Sequence, residues 1–221
     1  MNIEFQSVLG SDNIIPKESS SYMFCKRLID IIGSLAGIIL LSPIFLIVAI
    51  AIKVEDPRGK IIFGHKRVGK DGKLFPCLKF RSMFANAEEM KKNFTPAQKK
   101  EYAETFKLKD DPRITKVGKF IRKTSLDELP QLFNILKGDM TIVGPRPIVT
   151  DELKYYGEYD KYYMAVKPGL TGLWQVSGRS DTSYDERVEL DMEYIKARTI
   201  AKDIYIMIMT VVKVLKREGS Y

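Results

Sequence analysis

The sequence predicts a mainly helical chain with one small β-hairpin, an α+β fold, on three observations. Ile114, Val117 and Ile121 recur at helical spacing; two β-prone runs flank a turn bounded by Gly69 and Gly72; and the stretch from Ile31 to Ile52 carries no charge. At 221 residues there is room for one good-sized domain with a small appendage. The boundaries that follow are a polar N-terminal tail over residues 1–25, an apolar segment over 26–53 and a folded domain over 54–221.

The tail lacks strong periodicity and is given no chemistry. The apolar segment is long enough, at about 1.5 Å per residue, to cover a hydrocarbon core of about 30 Å. A cleaved signal peptide fits poorly, because the run exceeds the usual h-region of about 7–15 residues. A spanning helix and a helix that enters and turns back both stay open. Ser42 and Pro43 lie near the middle, where proline removes a helical hydrogen bond at a cost of about 3 kcal/mol. Basic residues flank both ends, Lys26 and Arg27 before, Lys53, Arg58 and Lys60 after. Any spanning orientation therefore opposes the positive-inside bias on one side, and a hairpin bent at Ser42-Pro43 does not. Asp30 at the entrance suits a mouth near the headgroups.

Ile61 to Phe80 reads as the hairpin, with Pro76 marking an edge strand. Gly64 to Lys70 imitates a phosphate-binding P-loop, but Asp71 stands where Ser or Thr is required and no helix start follows, so that reading is rejected. Lys79 and Arg81, two apart on an extended stretch, share a face: either a phosphate grip or a solvated edge. Ala85 to Phe106 reads as a surface helix and turn broken by Pro96, and Asp110 to Arg113 as a turn. In the following helix Lys116, Lys119 and Lys123 form a basic stripe, suited to water or to anionic headgroups.

Asp127 and Glu128 follow that stripe. Ser125-Leu-Asp-Glu128 fits a capping box, which would make Glu128 a helix-start residue. A helix opening at Asp127 instead tolerates Pro130 in its first turn and sets both carboxylates at the positive helix end, where phosphate also binds. Gly144-Pro-Arg-Pro147 is a stiff turn that either grips an anion through Arg146 or merely exposes it. Arg179 lies in a later small-residue loop, Trp174 reads as packing, and Ile204 to Val212, too short to span, reads as a core helix in preference to an interfacial one.

A net charge of +8 and a pI near 9.3 point to an anionic partner without choosing among nucleic acid, acidic membrane and phosphorylated small molecules. Two distant cysteines, Cys25 and Cys77, form no redox or metal pair and favour a reducing compartment. The single histidine, His65, rules out a histidine-based metal cluster and leaves catalysis to carboxylates and bases.

Lys26-Arg27 with Asp30, Ser42-Pro43, Lys79 to Met83, Asp111 to Thr115, Lys123 to Pro147 and Pro168 to Arg179 occur in an order that resembles the small monotopic phosphoglycosyl transferases. These bacterial enzymes move a sugar-1-phosphate from a UDP-sugar to a polyprenyl phosphate. The resemblance runs from about Lys26 to the C-terminus. It implies a re-entrant membrane helix-break-helix with its break at Ser42 and Pro43, and a cytoplasmic catalytic domain with interfacial helices. It makes Asp127 the nucleophile, Glu128 a metal or proton partner, and Asp127 with Glu128 the Mg²⁺ carboxylates. Lys79, Arg81, Arg113, Arg122, Pro145, Arg146, Pro147 and Arg179 become substrate-binding residues.

The same resemblance implies UDP-sugar, undecaprenyl phosphate and membrane lipids as partners, with no nucleic acid and a homodimer left open. It implies a monotopic protein at the cytoplasmic face of the plasma membrane that initiates glycoconjugate or exopolysaccharide assembly, and a hexose, galactose or glucose, as the sugar. Bifunctional relatives carry extra spans ahead of this module, so the chain is expected to be the catalytic module alone. The rival reading is a non-catalytic, membrane-tethered basic module for acidic lipid or nucleic acid. A metal-dependent glycosyltransferase is disfavoured, since no Asp-x-Asp occurs.

Overall fold

In a computed structural model, residues 19–105, 108–177 and 183–216 are described. Helices dominate: α1 (Ser20–Leu40), α2 (Ser42–Glu55), then strands β1 (Ile62–Val68) and β2 (Leu74–Phe80), followed by α3 (Ala87–Met90), α4 (Pro96–Thr105), α5 (Lys116–Lys123) and α6 (Gln131–Lys137). Next come β3 (Thr141–Val143), α7 (Asp160–Met164), β4 (Gly169–Thr171), α8 (Leu173–Ser177), α9 (Tyr184–Ala197) and α10 (Ile200–Lys216). The α+β class holds, with one addition. Besides the hairpin, β3 and β4 form a parallel pair in register Thr141↔Gly169 and Val143↔Thr171.

Three boundaries differ from the sequence reading. The first helix begins at Ser20, inside the stretch read as tail. The helix break falls at Leu41, just ahead of Ser42 and Pro43, so the proline occupies the first turn of α2, where its missing N–H is harmless. Pro96 opens α4 rather than ending it. Across the break the pair α1–α2 is bent by 60°. Among the described residues no single helix is long and apolar enough to cross a membrane, whereas this bent pair together is. Each helix shows apolar side chains outward: Phe24, Ile32 and Ile39 on α1, Leu46, Ile47 and Val54 on α2.

The described residues divide into two compact units: one holds those up to Leu40, Gly64–Leu78 and those from Gln131 to 216; the other holds those of Leu41–Phe63 and Lys79–Pro130. In the second of these, Val48 and Ile52 of α2 meet Phe80 of β2 and Ile121 of α5, with Leu126 and Leu129 packed against them. Glu55, the last residue of α2, accepts the Lys116 and Val117 amides at 2.7 and 2.9 Å, and Thr115 Oγ1 accepts the Gly118 amide at 2.8 Å. These caps satisfy N–H groups that a helix start leaves unpaired. Gly118 also sits on the Ser82 carbonyl, where a Cβ would overlap backbone.

In the other unit α1 lies along α6, and Gly33 and Gly37 let Ile142 and Leu132 approach it. The charged residues at the head of α1 are held internally. Lys26 pairs with Asp203 at 2.7 Å and donates to the Val143 carbonyl at 2.9 Å; Asp30 accepts from Thr141 Oγ1 and the Ile142 N–H at 2.9 and 2.8 Å. Asp30 is thus a buried anchor for β3. The core of this unit gathers Val143, Ile148, Tyr163, Val188, Met192, Ile195 and Ile206. Helix α10 packs only one face inward, through Asp203 and Ile206, while Ile204, Tyr205, Ile208 and Val211 stay exposed. Core packing therefore explains half of that helix.

Replacing Gly118 by Ala is expected to destabilise the protein by about 1–3 kcal/mol or more, because its methyl meets backbone. Gly33→Ala, which meets the flexible tip of Ile142 at 2.7 Å, should lose less. Thermal unfolding of the two detergent-solubilised variants checks the order.

Candidate active site

The site around Asp127 is built by three neighbouring pieces of one unit. Along β2, Phe80 points into the apolar cluster, so the adjacent Lys79 points to the opposite side. Helix α5 ends at Lys123, and Ser125 then takes the left-handed conformation (φ 56°, ψ 14°) that turns the chain back. For a non-glycine residue this conformation costs about 1–2 kcal/mol. A 3-10 turn, Leu126–Glu128, follows, and its i to i+3 repeat puts Leu126 and Leu129 on one side, in the cluster. Asp127 and Glu128 are left facing Lys79.

This corrects the sequence reading of the turn. No α-helix opens at Asp127: the α-helix begins at Gln131, past Pro130. Nor does the capping box form, because Ser125 makes no side-chain cap bond and Glu128 is engaged elsewhere. The Lys79 ammonium donates to Glu128 Oε1 at 2.6 Å and stands 3.9 Å from Asp127 Oδ2. One cation thus holds two adjacent carboxylates, which would otherwise repel.

Asp127 is buried, and burial lifts its pKa from 3.8 to about 6. Lys79 and Arg122 pull it down, and the Glu128 charge pushes it up. At neutral pH the group is mostly ionised yet more basic than an ordinary aspartate, which suits a nucleophile or base. Arg122 donates from Nε to Ser82 Oγ at 2.8 Å.

Two residues read as substrate cations have internal partners. Arg81 donates to Asp56 Oδ2 and to the Asp56 carbonyl, both at 2.7 Å. The Ala85 amide and the Arg58 and Arg81 side chains hold the Asp56 carboxyl well below the usual range. Arg113 forms a two-point pair with Asp111 at 2.8 and 2.6 Å and lies over the rings of Phe94 and Tyr102. The structure therefore brings Lys79 and Arg122 to Asp127 and Glu128, and turns Arg81 and Arg113 to local carboxylates. Arg179 lies outside the described residues.

Arg146, in the other unit, is exposed, its guanidinium 5.5 Å from the ring centre of buried Trp174. The backbone of its turn is anchored throughout. Pro145 and Pro147 have no N–H, so Arg146 supplies the triplet's single amide donor. That amide lies against the buried carboxyl of Asp191, which also accepts from the Tyr156 hydroxyl at 2.7 Å. Tyr163 donates to the Arg146 carbonyl at 3.0 Å and accepts from the Ile148 amide at 3.2 Å. Burial pushes Asp191 up to about 7, against the Tyr156 bond and the Arg146 charge.

Sequence reasoning missed Asp191, Tyr156 and Tyr163, and also Arg187, whose guanidinium sits 4.9 Å from the Trp174 ring centre. A signal was present for Asp191. It falls on the stripe of Val188, Met192 and Ile195, a lone carboxylate on an apolar helix face.

Among the described residues no three histidine, cysteine or acidic groups cluster to hold a metal. Asp127 and Glu128 offer two carboxylate arms, which fits Mg²⁺, an ion that commonly takes one or two carboxylates and completes its shell with substrate phosphates and water.

These features agree with what the chain is similar to. The model of the family described as "Bacterial sugar transferase" matches residues 21–217, and the chain belongs to that family. It is 52% identical over 217 residues to a protein of Salmonella typhimurium named undecaprenyl-phosphate galactose phosphotransferase, covering 97% of this chain and 45% of that protein. It is 44% identical over 214 residues to the exopolysaccharide production protein ExoY of Sinorhizobium fredii, covering 94% of each. To the UDP-glucose:undecaprenyl-phosphate glucose-1-phosphate transferase of Escherichia coli it is 40% identical over 204 residues, 89% of this chain and 41% of that one. The chain spans less than half the length of the first and third of these relatives.

The Asp127 pKa has a consequence for stability. A carboxylate whose folded pKa is raised adds stability that is complete below its unfolded pKa and lost as pH climbs through the folded value. The rise from 3.8 to about 6, at about 1.4 kcal/mol per unit, means ionised Asp127 costs about 3 kcal/mol near pH 7. Asp127→Asn is expected to be more stable than the parent above pH 6 and not below pH 4, read from unfolding midpoints across that range.

Proposed function

We propose that this chain transfers a hexose-1-phosphate, of galactose or glucose, from a UDP-sugar to undecaprenyl phosphate, with Asp127 as the covalent nucleophile. An Asp127 oxygen attacks the β-phosphorus. The bond from that phosphorus to the bridging oxygen breaks, and UMP leaves with the bridging oxygen. The lipid phosphate then attacks the same phosphorus, the aspartyl bond breaks, and a polyprenyl diphosphosugar forms with Asp127 restored. The observation that carries this reading is the buried carboxylate with a pKa of about 6, set beside Lys79 and Glu128.

Lys79 offsets the developing charge and keeps the two carboxylates together. Glu128 is the nearest partner for a proton or a metal. Mg²⁺, held by Asp127 and Glu128, would neutralise diphosphate charge. Arg122 is assigned to substrate phosphate, and Arg146 to the nucleotide, its planar donor fork suiting either phosphate or a base face. The outward apolar residues of α1 and α2 support a re-entrant pair with both ends on the cytoplasmic side of the plasma membrane, and those of α10 support an interfacial helix. The printed names of the relatives support the acceptor and the two sugars.

Asp127→Asn should abolish both UMP release and the trapped phosphosugar adduct, seen as a mass gain on the protein incubated with UDP-sugar alone. Turnover by this variant rejects the nucleophile. With the parent protein, UMP rather than UDP should appear from UDP-galactose or UDP-glucose, and the rate should fall about tenfold per pH unit below 6 as Asp127 takes up a proton. No lipid-linked radiolabel at any protein concentration would favour the non-catalytic basic module.

A further inference from the structure

A cavity of about 50 Å³ opens beside the first turns of α1, several times the roughly 10–15 Å³ that admits one water. Its lining includes Lys26, Arg27, Lys70, Lys167 and Arg198, against the single carboxylate of Asp30. Three of the cations have partners. Lys26 pairs with Asp203, Arg27 donates to the Ile135 and Leu136 carbonyls at 2.8 Å each, and Arg198 donates to the Ile195 carbonyl at 2.6 Å. Thr141 and Ile142 both donate to one Asp30 oxygen, Oδ1.

Lys70 and Lys167 differ. Among the described residues neither ammonium has a hydrogen-bonded or ion-paired partner, although both line this cavity. Lys167 Nζ and Arg27 Nη2 lie 3.5 and 3.6 Å from the point a Cβ would occupy on Gly138, so two like charges share one small space. Burial, Arg27 and Lys70 depress the Lys167 pKa, against the opposing charges of Asp30 and Asp139. Half-buried like charges that neighbouring carboxylates offset only in part gain from a further anion.

We propose that Arg27, Lys70 and Lys167 form a binding site for a phosphomonoester at the mouth of the apolar helix. Two unpartnered ammonium groups match the −1.5 to −2 charge that a phosphomonoester carries at about pH 7. The cavity lies where α1 begins, just ahead of the uncharged run that starts at Ile31. The source is therefore a lipid phosphomonoester, the class to which the proposed acceptor belongs. Phosphate binding here does not depend on the transfer chemistry; holding the acceptor does.

The test is native mass spectrometry of the full chain in detergent, titrated with dioleoyl phosphatidic acid and, separately, dioleoyl phosphatidylglycerol. Phosphatidic acid should saturate at one equivalent and bind at least tenfold more tightly than the phosphodiester. Lys70→Gln with Lys167→Gln should erase that preference, whereas Lys116→Gln with Lys119→Gln, on the exposed stripe of α5, should keep it. The unliganded cavity variant should unfold no earlier than the parent, since a repulsion has been removed, and Lys70→Gln alone gives the same loss to a smaller degree. Competition by millimolar inorganic phosphate would identify a soluble phosphate as the source; no competition identifies the lipid. Unchanged phosphatidic acid preference in the cavity variant overturns the proposal, and no assay of turnover enters the result.

Discussion

The turn that carries Asp127 is held by two leucines. Leu126 and Leu129 enter the cluster of Val48, Ile52, Phe80 and Ile121, and the residues between them have no freedom left to face the same way. That constraint does what a helix N-terminus was expected to do. It buries a carboxylate, raises its basicity and presents it to Lys79, at the cost of a left-handed serine at the entrance. Burial alone would favour the neutral acid; Lys79 and Arg122 keep the pKa low enough for the ion to prevail at neutral pH. Both contributions are needed for a carboxylate that is ionised at neutral pH and still more basic than an ordinary aspartate.

In the other unit the strand β3 plays the organising part. Asp30 grips its Thr141 hydroxyl and Ile142 amide, Lys26 takes its Val143 carbonyl, and Tyr194 donates to that same carbonyl at 3.0 Å. Gly144 and Pro145 follow immediately, tied back to Thr171 and Gly169 through backbone bonds of 2.8 and 2.7 Å. The apolar helix and the Arg146 turn are therefore fixed to the same short strand. A Lys-Arg pair that reads as a topology signal in the sequence also welds that helix to the fold, and buried charges of this kind are tolerated because each finds a partner.

Local chemistry made part of this legible. Proline physics located the helix break to within two residues; the Gly69–Gly72 turn and the helical spacing of Val117 and Ile121 were equally local, and Lys79, Asp127 and Glu128 were all singled out. What escaped depends on distant partners. Strands of three residues such as β3 and β4 have no pattern of their own and exist because their neighbours pair them. The conformation of Ser125 follows from leucine packing, not from its capping-box spelling. Arg81 reads as a free cation until Asp56, twenty-five positions away, is known to face it.

Charge placement brings these elements together. The chain is strongly basic, yet much of its positive charge near the fold's interior is answered: Lys26 by Asp203, Arg81 by Asp56, Arg113 by Asp111. In each of those pairs a carboxylate already faces the cation. Besides Arg122 and Arg146, two groups of cations stand out among the described residues. One is the exposed α5 stripe of Lys116, Lys119 and Lys123, where water screens each charge and an anionic surface gains about 1 kcal/mol per residue. The other is the half-buried pair Lys70 and Lys167, which line the open cavity beside α1. An anion there gains more per contact because it removes an existing repulsion as well as adding an attraction. Net charge alone does not separate a surface-binding protein from one that binds a discrete phosphate; two like charges that line one cavity are the feature that points to the second.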